Sequence, residues 1–236
     1  MFLTHFARKN SGLIRHLQTR WLSSKIVKAD GALVVKYSPA PGARLAPTPL
    51  VFVGSSQLED DSGNFHLIGE GICSEAIKQG FSCFQFDIPF KQEESESAKA
   101  IMDRFSTRLR TLISTTDSPF PPILYAGQLG CLIAQTYVSS HPVSALILDS
   151  PPVSCESLLS WPGLSKRFPL PLPEFSFEPK FPVLVLERSS ANSILKSSRL
   201  VLEGADYCVV NESKSDGSEL SNKSRVVFQW IDELGY

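Results

Sequence analysis

The chain has 236 residues, 42% of them hydrophobic, a length and content that suit one α/β domain with a sizeable core better than two small domains. Its 23 Lys and Arg nearly balance 24 Asp and Glu, which excludes a broad basic surface and with it a nucleic-acid partner. Five scattered cysteines (Cys73, Cys83, Cys131, Cys155, Cys208) exclude a closed disulfide framework and a zinc site, and no apolar run reaches the roughly 18 to 20 residues of a membrane-spanning helix.

The first 24 residues, "MFLTHFARKNSGLIRHLQTRWLSS", carry Arg8, Lys9, Arg15 and Arg20 and no acid; the first acidic residue is Asp30. At about 100° per residue, Phe2, Leu3, Phe6, Leu13, Ile14, Leu17 and Trp21 share one arc. A basic amphipathic helix without acids reads as a mitochondrial presequence, and charge interrupts the apolar residues too often for a secretory signal. The bland alternative, an ordinary first helix, is disfavoured because such a helix mixes acids into its polar face. The expected organisation is targeting residues 1–24, import to the mitochondrial matrix, and one domain over 25–236.

Beyond the presequence, "SKIVKADGALVVKY" alternates apolar and polar residues on both sides of Asp30-Gly31, a preferred hairpin turn, and predicts an antiparallel pair. "PLVFVGSSQ" reads as a buried parallel strand feeding a loop. "NFHLIGEGICSEAIKQG" places Phe65, Ile68, Ile72 and Ile77 near helical spacing, with Gly80 in C-cap position. "FSCFQFDIPF" is the next strand. The helix after it carries Ile101, Phe105, Leu109 and Leu112 or Ile113 on one face, and "EESES" (Glu93 to Ser97) is an acidic start that complements its dipole. "PPILYAG", a helix from about Gly130 and "VSALILDS" continue the alternation, which predicts a parallel sheet with helices on both faces.

From Pro151 to Pro182 the pattern stops in favour of a segment dense in Pro and aromatics, expected to cover something or to carry short helices of its own. "FPVLVLERS" then predicts a strand, "SILKSSRLVLEG" a helix, "DYCVVNES" a last strand, and "SNKSRVVFQWIDELGY" a terminal helix with Val226, Val227, Trp230, Ile231 and Leu234 in phase.

This order resembles the α/β-hydrolase superfamily. "GFSCFQFDIPF" is similar to the family's fourth strand with its trailing Asp-x-Pro, and "AGQLGCLIAQ" matches the nucleophile elbow without a gap. The small-x-nucleophile-x-small pattern falls on Ala126, Gly127, Gln128, Leu129 and Gly130, where small residues are expected because strand and helix meet tightly. The resemblance covers about Lys25 to Tyr236. It implies a three-layer fold with a mostly parallel sheet, an N-terminal antiparallel hairpin and a lid-like excursion over 151–182.

The resemblance also implies a triad in the order nucleophile, acid, histidine, and each position departs from it. Gln128, a carboxamide, stands where the serine belongs. The four histidines are His5, His16, His66 and His141, so none follows the last strand, where "NESKSDGSEL" offers Lys214 with Ser213 and Ser215 in what reads as a solvated loop. The acid position reads "ERSSANS", leaving Asp149 after the sixth strand as the carboxylate where some members put their acid.

Among residues that still carry chemistry, Cys131 begins a helix, where the dipole favours a thiolate; the favoured reading is a small buried filler. His66 reads as a first-turn polar residue and His141 as a helix-end cap. Gly54, Ser55, Ser56 and Leu129 occupy the positions that would line an oxyanion cleft. No nucleotide or zinc-hydrolase motif occurs, and no cofactor or metal is expected.

The leading expectation is a non-catalytic protein that binds a protein partner or small ligand. The alternative is an ester or thioester hydrolase with a non-standard site, with Cys131 as its candidate nucleophile. A paralogue that scaffolds an active relative is the third class.

Overall fold

The computed structural model describes residues 24–29, 31–59, 70–91, 95–161, 163–188, 193–210 and 218–236. The presequence reading, together with His66, Lys214 and the "SSAN" run after the seventh strand, lies outside the described residues. Among the described residues eight strands form one sheet: β1 (Ser24–Ala29), β2 (Ala32–Tyr37), β3 (Leu50–Gly54), β4 (Cys83–Asp87), β5 (Ile123–Gly127), β6 (Ala145–Asp149), β7 (Val183–Arg188) and β8 (Asp206–Val210). They lie in the order β1-β2-β4-β3-β5-β6-β7-β8. β2 runs antiparallel to both its neighbours and every other pairing is parallel. The predicted hairpin is therefore present, with Gly31 at φ +76 in its turn, a left-handed conformation that glycine adopts without strain.

Among the described residues four longer helices cover the sheet: α1 (Glu70–Lys78), α2 (Ala98–Ser114), α3 (Gly130–Val138) and α4 (Ser218–Glu233). The strands alternate between two cores. Leu124 and Ala126 of β5 join the residues of α2 and α3, whereas Ile123 and Tyr125 of the same strand join those of α1 and α4. Because both faces are covered, β3 is buried at all five of its positions, which is why its sequence is one apolar run. The predicted face of α2 is the buried one, with Met102 added, and Ser97 caps it by accepting the Ala100 N–H at 3.3 Å. Gly80 is required where it stands, at φ +97, because a Cβ there would lie 1.7 Å from the Arg44 carbonyl oxygen.

One sequence expectation needs correction. The single helix expected over "SILKSSRLVLEG" is a 3₁₀ turn, Ile194–Ser197, and a four-residue helix, Arg199–Leu202, parted by Ser198 in an extended conformation. The Pro-rich segment carries a 3₁₀ turn, Glu156–Ser160, and a short helix, Leu164–Arg167. It is anchored by the buried Leu158, Leu164, Phe168 and Leu172, all part of the α2 and α3 core, and so it covers that side of the molecule.

Candidate active site

The parallel strands all end at one edge of the sheet, and their register decides what meets there. Val53 pairs with Ala126 and Gly127 with Asp149, which sets Ser55, Gln128 and Ser150 in a row just past the ends of β3, β5 and β6. Gln128 has φ +46 and Ser150 has φ +54; both are non-glycine residues in the left-handed region, a strain of roughly 1–3 kcal/mol each that needs surrounding structure to hold it. Here the restraint is backbone: the Gln128 N–H donates to the Asp149 carbonyl at 2.9 Å, and the Ser150 N–H to that of Leu186 at 2.8 Å. Cys131 N–H closes the elbow onto the Gln128 carbonyl at 3.2 Å. The elbow thus keeps its turn, and its central side chain is exposed, with no hydrogen bond among the described residues.

The residues expected to line an oxyanion cleft separate in role. Gly54 ends β3 and Leu129 is buried at the start of α3. Ser56 is committed elsewhere: its N–H and its hydroxyl donate to the two carboxylate oxygens of Asp87, at 2.7 Å each. Burial raises the Asp87 carboxyl above its ordinary value, against the two Ser56 bonds that lower it. Ser55 differs, since its side chain is 1% exposed and its hydroxyl has no partner among the described residues. A buried hydroxyl without a partner costs free energy.

Cys131 is fully buried and its thiol donates to the Ala126 carbonyl at 3.2 Å. An attacking thiol needs access, and the buried Cys131 has none. His141, the one histidine among the described residues, stacks on Tyr137 with ring centroids 4.6 Å apart and places Nδ1 3.2 Å from the Tyr137 carbonyl oxygen. It sits at the far end of α3, about 15 Å from the elbow at the helical rise per residue, and acts as a cap there.

Asp149, the candidate acid, is already occupied. Its Oδ2 accepts the Tyr125 hydroxyl at 2.6 Å and the Lys223 ammonium at 2.7 Å, and its Oδ1 accepts the Ser150 hydroxyl at 3.1 Å. Tyr125 is pushed well above its ordinary value by burial first and by the Asp149 charge second, so it remains a hydroxyl donor. At the next strand end, Glu187 is likewise engaged: it accepts the Tyr207 hydroxyl in a short contact and the Ile194 N–H at 3.0 Å.

Reading by motif missed these partners, although signals existed. Lys223 falls four residues before Val227, on the buried stripe of α4, where an ammonium needs a counter-charge. Tyr125 is a phenol inside an apolar strand and needs an acceptor. Among the described residues no cluster of His, Cys, Asp or Glu suits a metal, and no helix is long and apolar enough to cross a membrane.

No protein-family model matches the chain, and no curated protein matches it in sequence. Solved structures do match in fold. An esterase/lipase from an uncultured bacterium has a TM-score of 0.62 at 11% identity over 95% of this chain and 90% of that one. A soluble variant of the monoglyceride lipase of Saccharomyces cerevisiae has 0.59 at 11%, over 92% and 97%. A Pyrobaculum calidifontis esterase has 0.57 at 13%, over 97% and 89%. The fold is that of the α/β-hydrolases. At these identities the likeness speaks for the fold alone.

Proposed function

We propose that the chain holds an ester- or thioester-type acyl ligand at the row formed by Ser55, Gln128 and Ser150, and does so without a serine–histidine–acid triad. The observation that carries this reading is Gln128, an exposed carboxamide kept on a strained turn at φ +46 with its donors and acceptor unused. A turn kept only to join strand and helix would be better served by glycine. A carboxamide can donate to a carbonyl oxygen but cannot attack its carbon, so the step it supports is recognition. The unpartnered hydroxyl of Ser55, just past the end of the neighbouring strand, is a second donor in the row.

Methyl butyrate added to the purified chain is expected to raise its thermal midpoint, and Gln128→Ala to remove that rise. An unchanged rise in the variant sinks the assignment of Gln128.

The hydrolase reading draws on the fold likeness and on one residue. Ser150 is the half-buried hydroxyl on the second strained turn, with Asp149 accepting its proton in a hydrogen bond. Against it, the Asp149 carboxylate is already held by Lys223 and Tyr125. Fluorophosphonate labelling with p-nitrophenyl butyrate turnover, both lost in Ser150→Ala, decides for it; no labelling and background turnover decide for binding. Targeting by residues 1–24 belongs to the same proposal, and a fluorescent protein fused behind them is expected to enter mitochondria.

A further inference from the structure

A separate cavity of about 40 Å³ lies beneath the Pro-rich segment, between Leu132 of α3, Val185 of β7 and Leu200. It has room for two or three water-sized groups. Arg199 lines it. The Arg199 Nη1 is satisfied by the Phe177 carbonyl at 2.9 Å and by Glu203, and the guanidinium lies 5.0 Å from the centre of the Phe177 ring. Its Nη2 is buried and has no partner among the described residues. Glu174 stands in the same wall; it accepts the Glu156 N–H at 3.1 Å and a hydrogen bond from the Cys155 thiol.

We infer that this cavity binds a small neutral carbonyl compound, a primary carboxamide of about acetamide size. Its oxygen accepts from Arg199 Nη2, its N–H donates to Glu174, and its alkyl group rests on Leu132, Val185 and Leu200. Neutrality follows from the charges: Glu203 already answers the guanidinium at 2.5 Å and Glu174 stands in the cavity wall, so an anion entering here would meet no unanswered positive charge. The site is independent of the elbow, and its failure would leave the acyl-ligand reading standing.

The test is saturation-transfer NMR on the full chain with acetamide, acetone and acetate as probes. Acetamide is expected to bind with a Kd on the order of 1–10 mM, as a four-heavy-atom ligand allows, with acetone weaker and acetate weakest. Leu200→Phe, which fills the cavity and leaves Arg199 in place, is expected to abolish transfer to acetamide, and Arg199→Gln to weaken it at least fivefold. Gln128→Ala is expected to leave it unchanged. The inference is overturned by absence of transfer in the natural chain, which would mean water alone occupies the space, by retained binding in Leu200→Phe, or by acetate binding as tightly as acetamide.

Discussion

The ends of β6 and β7 each carry a carboxylate, and each has a tyrosine hydroxyl as partner, Tyr125 for Asp149 and Tyr207 for Glu187. They differ in the rest of their surroundings. Asp149 also faces the ammonium of Lys223, with the two side chains only 11% and 9% exposed, whereas Glu187 completes its bonding with a backbone N–H from Ile194. The first arrangement is a buried ion pair whose members depend on each other. The second is a carboxylate solvated by neutral donors, and it tolerates loss of any one of them. Both carboxylates are engaged, and their bonds tie α4 and the loop after β7 to the sheet.

The largest test of that difference removes one member of the buried pair. Asp149→Ala or Lys223→Ala is expected to cost about 3–5 kcal/mol in urea denaturation, because each leaves an uncompensated buried charge. Asp149→Leu combined with Lys223→Met is expected to recover most of that loss, as the pair is mutually dependent. Glu187→Ala is expected to cost about 1–3 kcal/mol. Equal losses at Asp149 and Glu187 would erase the distinction.

Cys155 against Glu174 extends the comparison to a third carboxylate, again served by a neutral donor. Burial, and then the Glu174 charge, push the Cys155 thiol up to about 12 from 9.0. A folded value above the unfolded one means that the neutral thiol contributes stability in full below pH 9.0, and that this contribution is lost as pH climbs toward about 12. Stability is therefore expected to fall by an added slope of about 1.4 kcal/mol per pH unit in that window, and Cys155→Ala to flatten it. The same slope in the alanine variant would assign it to another group.

The two phenols come next. Tyr125→Phe leaves Asp149 to Lys223 and Ser150 and is expected to cost about 1.5–3 kcal/mol, the range for a hydrogen bond to a charged group. Tyr207→Phe, at a strand edge within reach of water, is expected to cost about 1 kcal/mol or less. Denaturation midpoints in the reverse order would contradict the view that the β6 end is the dry one.

Much of the frame was legible because strand and helix periods report burial directly. The β3 run, the α2 face, the hairpin and the elbow each follow from local patterns that the fold uses as they stand. The polar partners were not, since pairing Asp149 with Lys223 joins residues 74 positions apart and only the three-dimensional arrangement puts α4 under β6. Likewise the helix expected after β7 fails because Ser198 takes an extended conformation between two short turns, a tertiary choice that propensity does not reveal.

The smallest expected effect concerns the strained turns and bears most on function. Gln128 and Ser150 share the left-handed backbone, but only Ser150 has its side chain engaged, through Asp149. Gln128→Gly relieves strain and breaks no side-chain bond, so the variant is expected to be about 0.5–1 kcal/mol more stable, even after allowing for the freer unfolded chain that glycine brings. Ser150→Gly relieves similar strain but gives up a hydrogen bond to a buried carboxylate, and its net change is expected to be about zero or slightly destabilising. Thermal midpoints of the two variants separate the cases. A glycine at 128 that stabilises the fold and abolishes the response to methyl butyrate identifies the amide as a residue held against stability for what it binds. One that destabilises the fold makes the carboxamide a structural part of the elbow and removes the main support for recognition there.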